Sequence, residues 1–275
     1  MTRRASASDR DALVFRAALI AFAGAIGFSL AGMLLMRVAP GSVALVGPAL
    51  PWLMKTPTWV YMLALPLLAF LLYRADFGWR RSVFMLVWGA FVGMLAELMG
   101  TGTGFPFGAY EYTAFLGPKI LDRVPYLIPL SWYAVSIVAL DLAARLGLPR
   151  AQRIVAAAGF MLLWDIALDP AMGAGFPIWT WKTEGFFYGM PAINWLGWFG
   201  TSIVIMWGYE FLGGFRPPRP TPRAVTVWIV NSAFPLGICA VAQMWGAVFV
   251  GALALAIPLL ALAAATHHAA PAGAD

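Results

Sequence analysis

The sequence predicts an all-α, polytopic membrane bundle that forms a single domain over residues 1–275. Hydrophobic residue types make up 62 % of the 275 residues and charged types only 11 %, whereas a soluble domain carries about 25 % charged residues. The mean hydropathy is +0.81. So few charges cannot cover a water-soluble protein of this size, so most of the chain is expected to lie in lipid. Soluble enzymes are therefore excluded.

Apolar windows of about 20 residues predict about eight transmembrane helices. The last two are separated on length, because 43 residues of continuous helix would span about 65 Å, twice a bilayer core. The first span is too long and rich in glycine for a cleavable signal, so we expect it to be retained. Residues 1–11 and 266–275 are expected to be disordered tails. The predicted spans are Ala12–Val38, Thr58–Tyr73, Ser82–Met99, Pro125–Leu146, Ala151–Asp169, Pro191–Leu212, Arg223–Val241 and Met244–Ala265.

The positive charges predict the orientation of these spans. An even number of spans places both termini on one side, and that side collects 13 of the 18 lysines and arginines. The positive-inside rule therefore predicts cytoplasmic termini and a location in a bacterial-type cytoplasmic (inner) membrane. Two long loops rich in aromatic residues, glycine and proline, residues 100–124 and 170–190, then lie on the extracytoplasmic side. We expect function there.

Histidine and cysteine are too scarce for metal or redox chemistry. Cys239 is the one cysteine, and His267 and His268 are adjacent near the end of the chain. We therefore expect no metal site and no cofactor, and chemistry that depends on carboxylates, aromatic side chains and amides. The net charge of +6 indicates contact with anionic lipid rather than nucleic acid.

Glu97, Asp165 and Asp169 are the acidic residues most suggestive of function. Counted from the basic ends of their helices at 1.5 Å per residue, they lie at about 23, 21 and 27 Å, which is one level of the membrane. No basic residue lies within a helical turn of them, whereas Asp141 precedes Arg145 by four residues. Three such acids would repel one another and favour a protonated form of at least one, as general acid–base catalysis requires. Hydrogen bonds to loop backbone amides are the structural alternative.

Aromatic side chains and one amide are predicted to surround these acids. Each aromatic could instead belong to an ordinary interfacial belt, but together they could stabilise a cation. Gly89 and Gly93 precede Glu97 at four-residue intervals; they favour a helix contact or, alternatively, a slot for a thin apolar chain. The candidate substrate-binding residues are Tyr110, Tyr112, Trp132, Trp181, Asn194 and Trp198.

A carboxylic acid beside an apolar slot and aromatic walls suits protonation of a carbon–carbon double bond. The resulting tertiary carbocation can be trapped by water, lose a proton or be attacked internally, and hydration is the simplest outcome.

Four motifs in residues 80–212 make the chain similar to the CruF-type carotenoid 1,2-hydratases, which are membrane proteins of carotenoid biosynthesis. The resemblance implies a cofactor-independent hydro-lyase that adds water across the C1,C2 double bond of an acyclic ψ end group. It also implies lycopene-, γ-carotene- or bisanhydrobacterioruberin-like polyene substrates. The resemblance places Glu97, Asp165 and Asp169 among the acidic residues of these motifs. The motifs are Glu97–Tyr112 (ELMGTGTGFPFGAYEY), Val124–Trp132 (VPYLIPLSW), Asp165–Met172 (DIALDPAM) and Tyr188–Trp198 (YGMPAINWLGW).

We infer that Asp165 or Asp169 donates a proton to C2, while Glu97 or the other aspartate deprotonates water that attacks C1. Three tryptophans would shield the cation and Asn194 would position the water. Three alternatives remain. The protein could be a carotenoid cyclase, or an intramembrane prenyltransferase with half of a magnesium-diphosphate motif at Asp165 and Asp169. It could also be a carotenoid-binding or transport protein without enzymatic activity.

Overall fold

The chain folds as a helical bundle, seen in a computed structural model that describes the backbone of residues 7–269 and the side chains of residues 11–266. Helices α1 to α8 follow in chain order. Five helical stretches, 11–38, 42–103, 150–175, 222–241 and 245–266, are long and apolar enough to cross a membrane, and α4 is a shorter apolar helix. The helices are α1 (Ala7–Val38), α2 (Ser42–Val46), α3 (Leu50–Thr103), α4 (Ile128–Ala144), α5 (Arg150–Pro170), α6 (Ile193–Trp207), α7 (Pro222–Val241) and α8 (Trp245–Ala269).

The predicted all-α membrane class is confirmed, and the predicted spans correspond to the observed helices. The second and third spans are joined in α3, but Gly78 interrupts it with a non-helical backbone (φ 75°, ψ 166°). The turn expected between the last two helices is present, with Gln243 at a positive φ of 59°. Helix α2 was not predicted. The predicted tails lie mostly outside the described residues, and α1 and α8 extend into them to Ala7 and Ala269.

Helix α4 is the centre of the bundle. It packs against α3, α5, α6 and α7, and almost every one of its 17 residues is buried. A helix that is apolar all round is expected to be surrounded by other helices. The second half of α3 also contacts α6, and α6 contacts α5. Helices α3, α4, α5 and α6 therefore form a closed ring.

The two ends of the bundle differ in chemistry. The basic end holds residues 77–79, 145–149 and 213–221, and the loop end holds residues 39–49, 104–127, 171–192 and 242–244. All but one of the ion pairs among the described side chains lie toward the basic end, including Arg145–Asp141 at 2.8 Å and Arg153–Glu210 at 2.6 Å. The exception is Lys182–Glu111 at the loop end.

Two short ladders organise the long loops. Strand β1 (Tyr110–Tyr112) pairs antiparallel with β4 (Trp179–Trp181), and β2 (Lys119–Ile120) pairs with β3 (Val124–Pro125). Side chains alternate between the two faces of a strand. In β1 both tyrosines are buried, whereas Glu111 between them is exposed. The ladder thus ties the two loops together and directs both tyrosines into the ring of helices.

Candidate active site

Glu97 lies in the last turns of α3 and accepts hydrogen bonds from three side chains. The hydroxyl of Tyr110 donates to Oε2, the hydroxyl of Tyr112 donates to Oε2 at 2.8 Å, and the Nε1 of Trp132 donates to Oε1 at 2.9 Å. Gly100, one turn later, permits this approach, because a Cβ there would lie 2.9 Å from the ring of Tyr110. The structure thus surrounds the Glu97 carboxyl group with neutral donors from β1 and α4.

Asp165 and Asp169 face Asn194 from successive turns of α5. The Nδ2 of Asn194 donates to Oδ2 of Asp165 at 2.9 Å and also to Oδ2 of Asp169. The Nε1 of Trp179 donates to Oδ1 of Asp169 at 3.0 Å. The Oδ1 of Asp165 is buried and has no hydrogen-bond partner among the described residues. Because both carboxyl groups contact one amide nitrogen, they form a close pair, which we call the aspartate pair.

Among the described residues, the five buried carboxyl side chains divide into two groups. Near the basic end, Asp141 pairs with Arg145, and Glu210 accepts from Arg153 at 2.6 and 2.9 Å. At the loop end, the hydrogen bonds described for Glu97 and the aspartate pair come only from neutral side chains, not from loop backbone amides. Buried charges ordinarily require an opposite charge. The acids without one are the functional candidates.

A small cavity of about 50 Å³ lies within the ring of helices at the loop end. Glu97 and Asp169 line it, and so do all six residues that the sequence predicted to bind substrate: Tyr110, Tyr112, Trp132, Trp181, Asn194 and Trp198. Asp165 does not line the cavity. It is linked to the cavity by Asn194, which donates to both aspartates and, like Asp169, lines the cavity. A water molecule needs about 10–15 Å³ measured in this way. The cavity has room for a few water molecules.

Tryptophan rings form most of one wall of the cavity. Trp132 stacks on Trp198 with their centroids 4.2 Å apart, and Trp164 meets Trp198 edge to face at 6.2 Å. The faces of aromatic rings carry negative potential and attract cations. The Nε1 atoms of Trp164 and Trp181 are buried without a hydrogen-bond partner in the described part of the chain. Two residues of the cavity wall thus carry an indole donor that has no acceptor among the described residues.

Three further aromatic residues that line the cavity were not among the predicted site residues. Trp179 donates to Asp169, while Phe107 and Trp164 line the cavity. Trp179 could have been found, because it lies two residues before Trp181 and therefore on the same face of a strand. Nothing in the local sequence indicates that Phe107 or Trp164 faces the acids.

The two tyrosines that donate to Glu97 are held in their protonated form. Burial, followed by the negative charge of Glu97, raises the pKa of both Tyr110 and Tyr112 well above the ordinary value of 10.0. They therefore remain hydrogen-bond donors throughout the neutral range.

The glycines before Glu97 form a helix contact. A Cβ at Gly89 would collide with the hydroxyl of Tyr209, and one at Gly93 would lie 2.5 Å from the ring of Trp132. These side chains fill the space that the alternative interpretation reserved for an apolar chain. A long apolar substrate must therefore reach Glu97 by a route other than the Gly89 and Gly93 face of α3.

Diphosphate binding would need features that the cavity lacks. No group of three His, Cys, Asp or Glu side chains that could hold a metal ion is found among the described residues. The described side chains that line the cavity also include no lysine or arginine. Asp165 and Asp169 instead share Asn194, as described above.

Comparison with known proteins gives two matches. A family described as "Carotenoid biosynthesis protein" matches residues 57–258, which is more than half of the chain. The chain is also 31 % identical to a bisanhydrobacterioruberin hydratase of Haloarcula japonica over 158 residues, covering 55 % of this chain. The match spans about half of that relative, 52 % of its length. No solved structure matches this chain.

Proposed function

Because the chain belongs to the carotenoid biosynthesis protein family, we propose that it adds water across the C1,C2 double bond of an acyclic carotenoid end group. The product is a tertiary 1-hydroxy carotenoid. The similarity to a relative named as a hydratase supports this proposal. The substrate is a lycopene-, γ-carotene- or bisanhydrobacterioruberin-like polyene, and the reaction uses no cofactor.

The observation that carries the proposal is the separation of the buried acids. Asp141 and Glu210 have arginine partners, whereas the hydrogen bonds described for Glu97 and the aspartate pair come from neutral donors. Glu97 and Asp169 also line a cavity with room for a few water molecules. A site that hydrates an alkene needs a proton donor, a proton acceptor and water close together. The carboxyl groups of Asp169 and Glu97 and the cavity meet these three requirements.

Protonation is the first step. Asp169 lines the cavity and transfers its proton to C2, so the π electrons of the double bond form the new C–H bond and C1 becomes a tertiary cation. Two carboxyl groups on one amide nitrogen in a buried site favour a single shared proton. Asp165 and Asn194 act as positioning residues, because they hold Asp169 and its proton at the cavity.

Stabilisation of the cation is the second requirement. Trp132 and Trp198 line the cavity, and a desolvated cation over an aromatic face gains about 2 kcal/mol. The carboxylate of Glu97 adds an opposite charge in a region of low dielectric constant, where such an interaction is much stronger than in water.

Water then attacks C1. We assign the binding of this water to the indole N–H groups of Trp164 and Trp181, two cavity-lining residues whose N–H groups have no acceptor among the described residues. The water oxygen forms the C–O bond and Glu97 accepts the released proton, which returns to the aspartate pair before the next turnover. The sum is the addition of one water molecule, with no change in the protein. A positioned general base typically contributes about 10²–10⁴-fold to such a step.

The orientation of the site follows from the charge pattern. We place the termini in the cytoplasm and the loop end on the extracytoplasmic side of a bacterial-type inner membrane, because lysine and arginine concentrate at the opposite end. A protease-protection assay on membrane vesicles with tagged termini tests this placement.

Expression in a lycopene-accumulating host, with growth in ¹⁸O-labelled water, tests the proposed function. We expect pigments that have gained the mass of one labelled water molecule for each modified end. An unlabelled product with a ring would indicate cyclisation, and unchanged pigment bound to the purified protein would indicate a carrier. A product that depends on magnesium and a prenyl diphosphate would indicate a prenyltransferase. Each of these three results would refute the proposal.

A further inference from the structure

The acid-lined cavity cannot contain a whole polyene. Its volume of about 50 Å³ corresponds to a few water molecules, and tryptophan and tyrosine side chains close most of its walls. The end group must enter this space while the rest of the chain lies outside it. The surface next to the cavity therefore decides where the polyene binds.

An apolar groove runs along the outside of the contact between α3 and α6. Its volume is about 460 Å³. It extends along α6 from Ile193 to Val204, about 16 Å at 1.5 Å per residue. Several of its side chains are exposed on the outer surface of the bundle, including Phe105 and Leu196. The groove thus begins at the level of Glu97 and continues toward the middle of the membrane.

The groove and the cavity share one thin wall. At four places one residue lines the groove and the next residue lines the cavity: Ala96 and Glu97, Pro106 and Phe107, Ile193 and Asn194, and Gly197 and Trp198. Two other apolar hollows, against α1, have no such residue neighbours in the cavity among their described linings. Of these three hollows, the α3–α6 groove is therefore the one that adjoins the acid-lined cavity.

Phe107 is the central part of this wall. Its ring is almost fully buried, and a Cβ added at Gly197 would lie 2.6 Å from it. The absence of a side chain at Gly197 allows the loop to fit against α6 at this position. Phe107 therefore lies between Gly197 of the groove and the cavity.

We propose that the polyene chain of the substrate binds in the α3–α6 groove, with its end group passing the Phe107 wall into the acid-lined cavity. This inference rests on the proposed function for the identity of the substrate. The groove presents an apolar surface along its whole length, and one end of it lies beside the wall of the acid-lined cavity. A polyene bound there lies in the lipid phase from which it is taken, while its reacting end reaches the carboxyl groups.

Two substitutions fill the groove without disturbing the packed core, and each has a matched control. No atom lies within 4 Å of a Cβ added at Gly200, which lines the groove, or at Gly159, which lies on α5 outside the groove. Leu196 lines the groove with 69 % of its surface exposed, and Leu260 on α8 is 67 % exposed outside it. The test variants are Gly200→Leu and Leu196→Trp; the controls are Gly159→Leu and Leu260→Trp.

The four variants and the unmodified protein are purified from a lycopene-accumulating host. Bound lycopene per protein is measured by absorbance, and hydration is measured by mass analysis of pigments. We expect bound lycopene and the rate of hydration to fall about tenfold in both groove variants, equivalent to about 1.4 kcal/mol of binding, and to stay unchanged in both controls. Thermal unfolding measured in parallel identifies any variant that has lost its fold.

The outcomes separate this inference from the proposed function. If the unmodified protein hydrates lycopene and the groove variants bind and hydrate it as well as their controls, a membrane lipid fills the groove and the inference is wrong. If lycopene is bound but not hydrated, and the groove variants lose it, the binding site is confirmed and the proposed reaction is refuted. If the unmodified protein neither binds nor hydrates lycopene, both are refuted for this polyene.

Discussion

Replacement of Glu97 by glutamine is the sharpest test of the proposed mechanism, because the side chain keeps its size and loses its ability to accept a proton. Glu97 accepts hydrogen bonds from Tyr110, Tyr112 and Trp132. In Glu97→Gln the amide oxygen can still accept from Trp132. The tyrosine hydroxyls can rotate to accept from the new NH₂ group. The arrangement of the site is therefore expected to survive.

The expected magnitudes for stability and for activity are different. Weakening of hydrogen bonds to a charged acceptor costs about 1.5–3 kcal/mol in the free energy of unfolding. Loss of the proton acceptor lowers the rate of hydration by about 10²–10⁴-fold, equivalent to about 3–5 kcal/mol in the activation barrier. We expect folded protein that binds lycopene and hydrates it at no more than about a hundredth of the normal rate.

The matched control is Glu111→Gln. Glu111 lies between Tyr110 and Tyr112 on the opposite, exposed face of β1 and pairs with Lys182 at 2.8 Å. Hydration is measured in proteoliposomes with lycopene and ¹⁸O-labelled water, and folding is followed by thermal unfolding. Normal hydration by Glu97→Gln would refute the role of Glu97. An equal loss in Glu111→Gln would show that the effect comes from the loop rather than from the acid.

Three further predictions follow from the same contacts. Glu210→Gln leaves Arg153 without its buried charged partner. We expect the free energy of unfolding to fall by about 3–5 kcal/mol and hydration per folded molecule to stay unchanged. A loss of hydration without a loss of stability would instead give Glu210 a role in the reaction. Trp179→Phe removes the N–H that donates to Asp169, and we expect hydration to fall about tenfold, the effect of about 1.4 kcal/mol. The control is Trp195→Phe, because the Nε1 of Trp195 has no partner in the described structure, and this variant should keep normal activity. Equal activity of the two variants would contradict the role of the Trp179 N–H. Burial and the Glu97 charge raise the pKa of Tyr110 and Tyr112 above 10.0, so their contribution to stability is fully present below pH 10 and declines as the pH rises above it, because the unfolded tyrosines ionise first. Thermal midpoints should therefore fall less steeply above pH 10 in the double variant Tyr110→Phe, Tyr112→Phe than in the unmodified protein; equal slopes would argue against this linkage.

The buried acids illustrate how far sequence reasoning reached. The depth estimate predicted that Glu97, Asp165 and Asp169 lie at one level of the membrane, and Asp165 and Asp169, four residues apart, lie on one face of α5. Both are properties of regular helices, in which position along the axis follows from residue count. The partners of the acids were not predictable in the same way. Asn194 comes from another helix, and Trp179 comes from a strand that forms only when two loops meet.

Glu210 shows the same limit at the basic end. Arg216 and Arg219 follow Glu210 closely in the sequence, but Glu210 pairs with Arg153 and Arg150 of α5. Helix α6 lies against α5, so the nearest arginines in space are distant in sequence. Likewise, the slot suggested by Gly89 and Gly93 was wrong, because Tyr209 and Trp132 occupy it.

The sequence by itself determined the membrane class, the approximate bounds of the spanning helices and the identity of the unusual acids, because hydropathy and helical rise act locally along the chain. Only the tertiary structure decided which acids have arginine partners, which side chains enclose the cavity, and that the α3–α6 groove adjoins this cavity. These features depend on contacts between segments that are distant in the chain. Such contacts are set by the packing of whole helices and loops against one another.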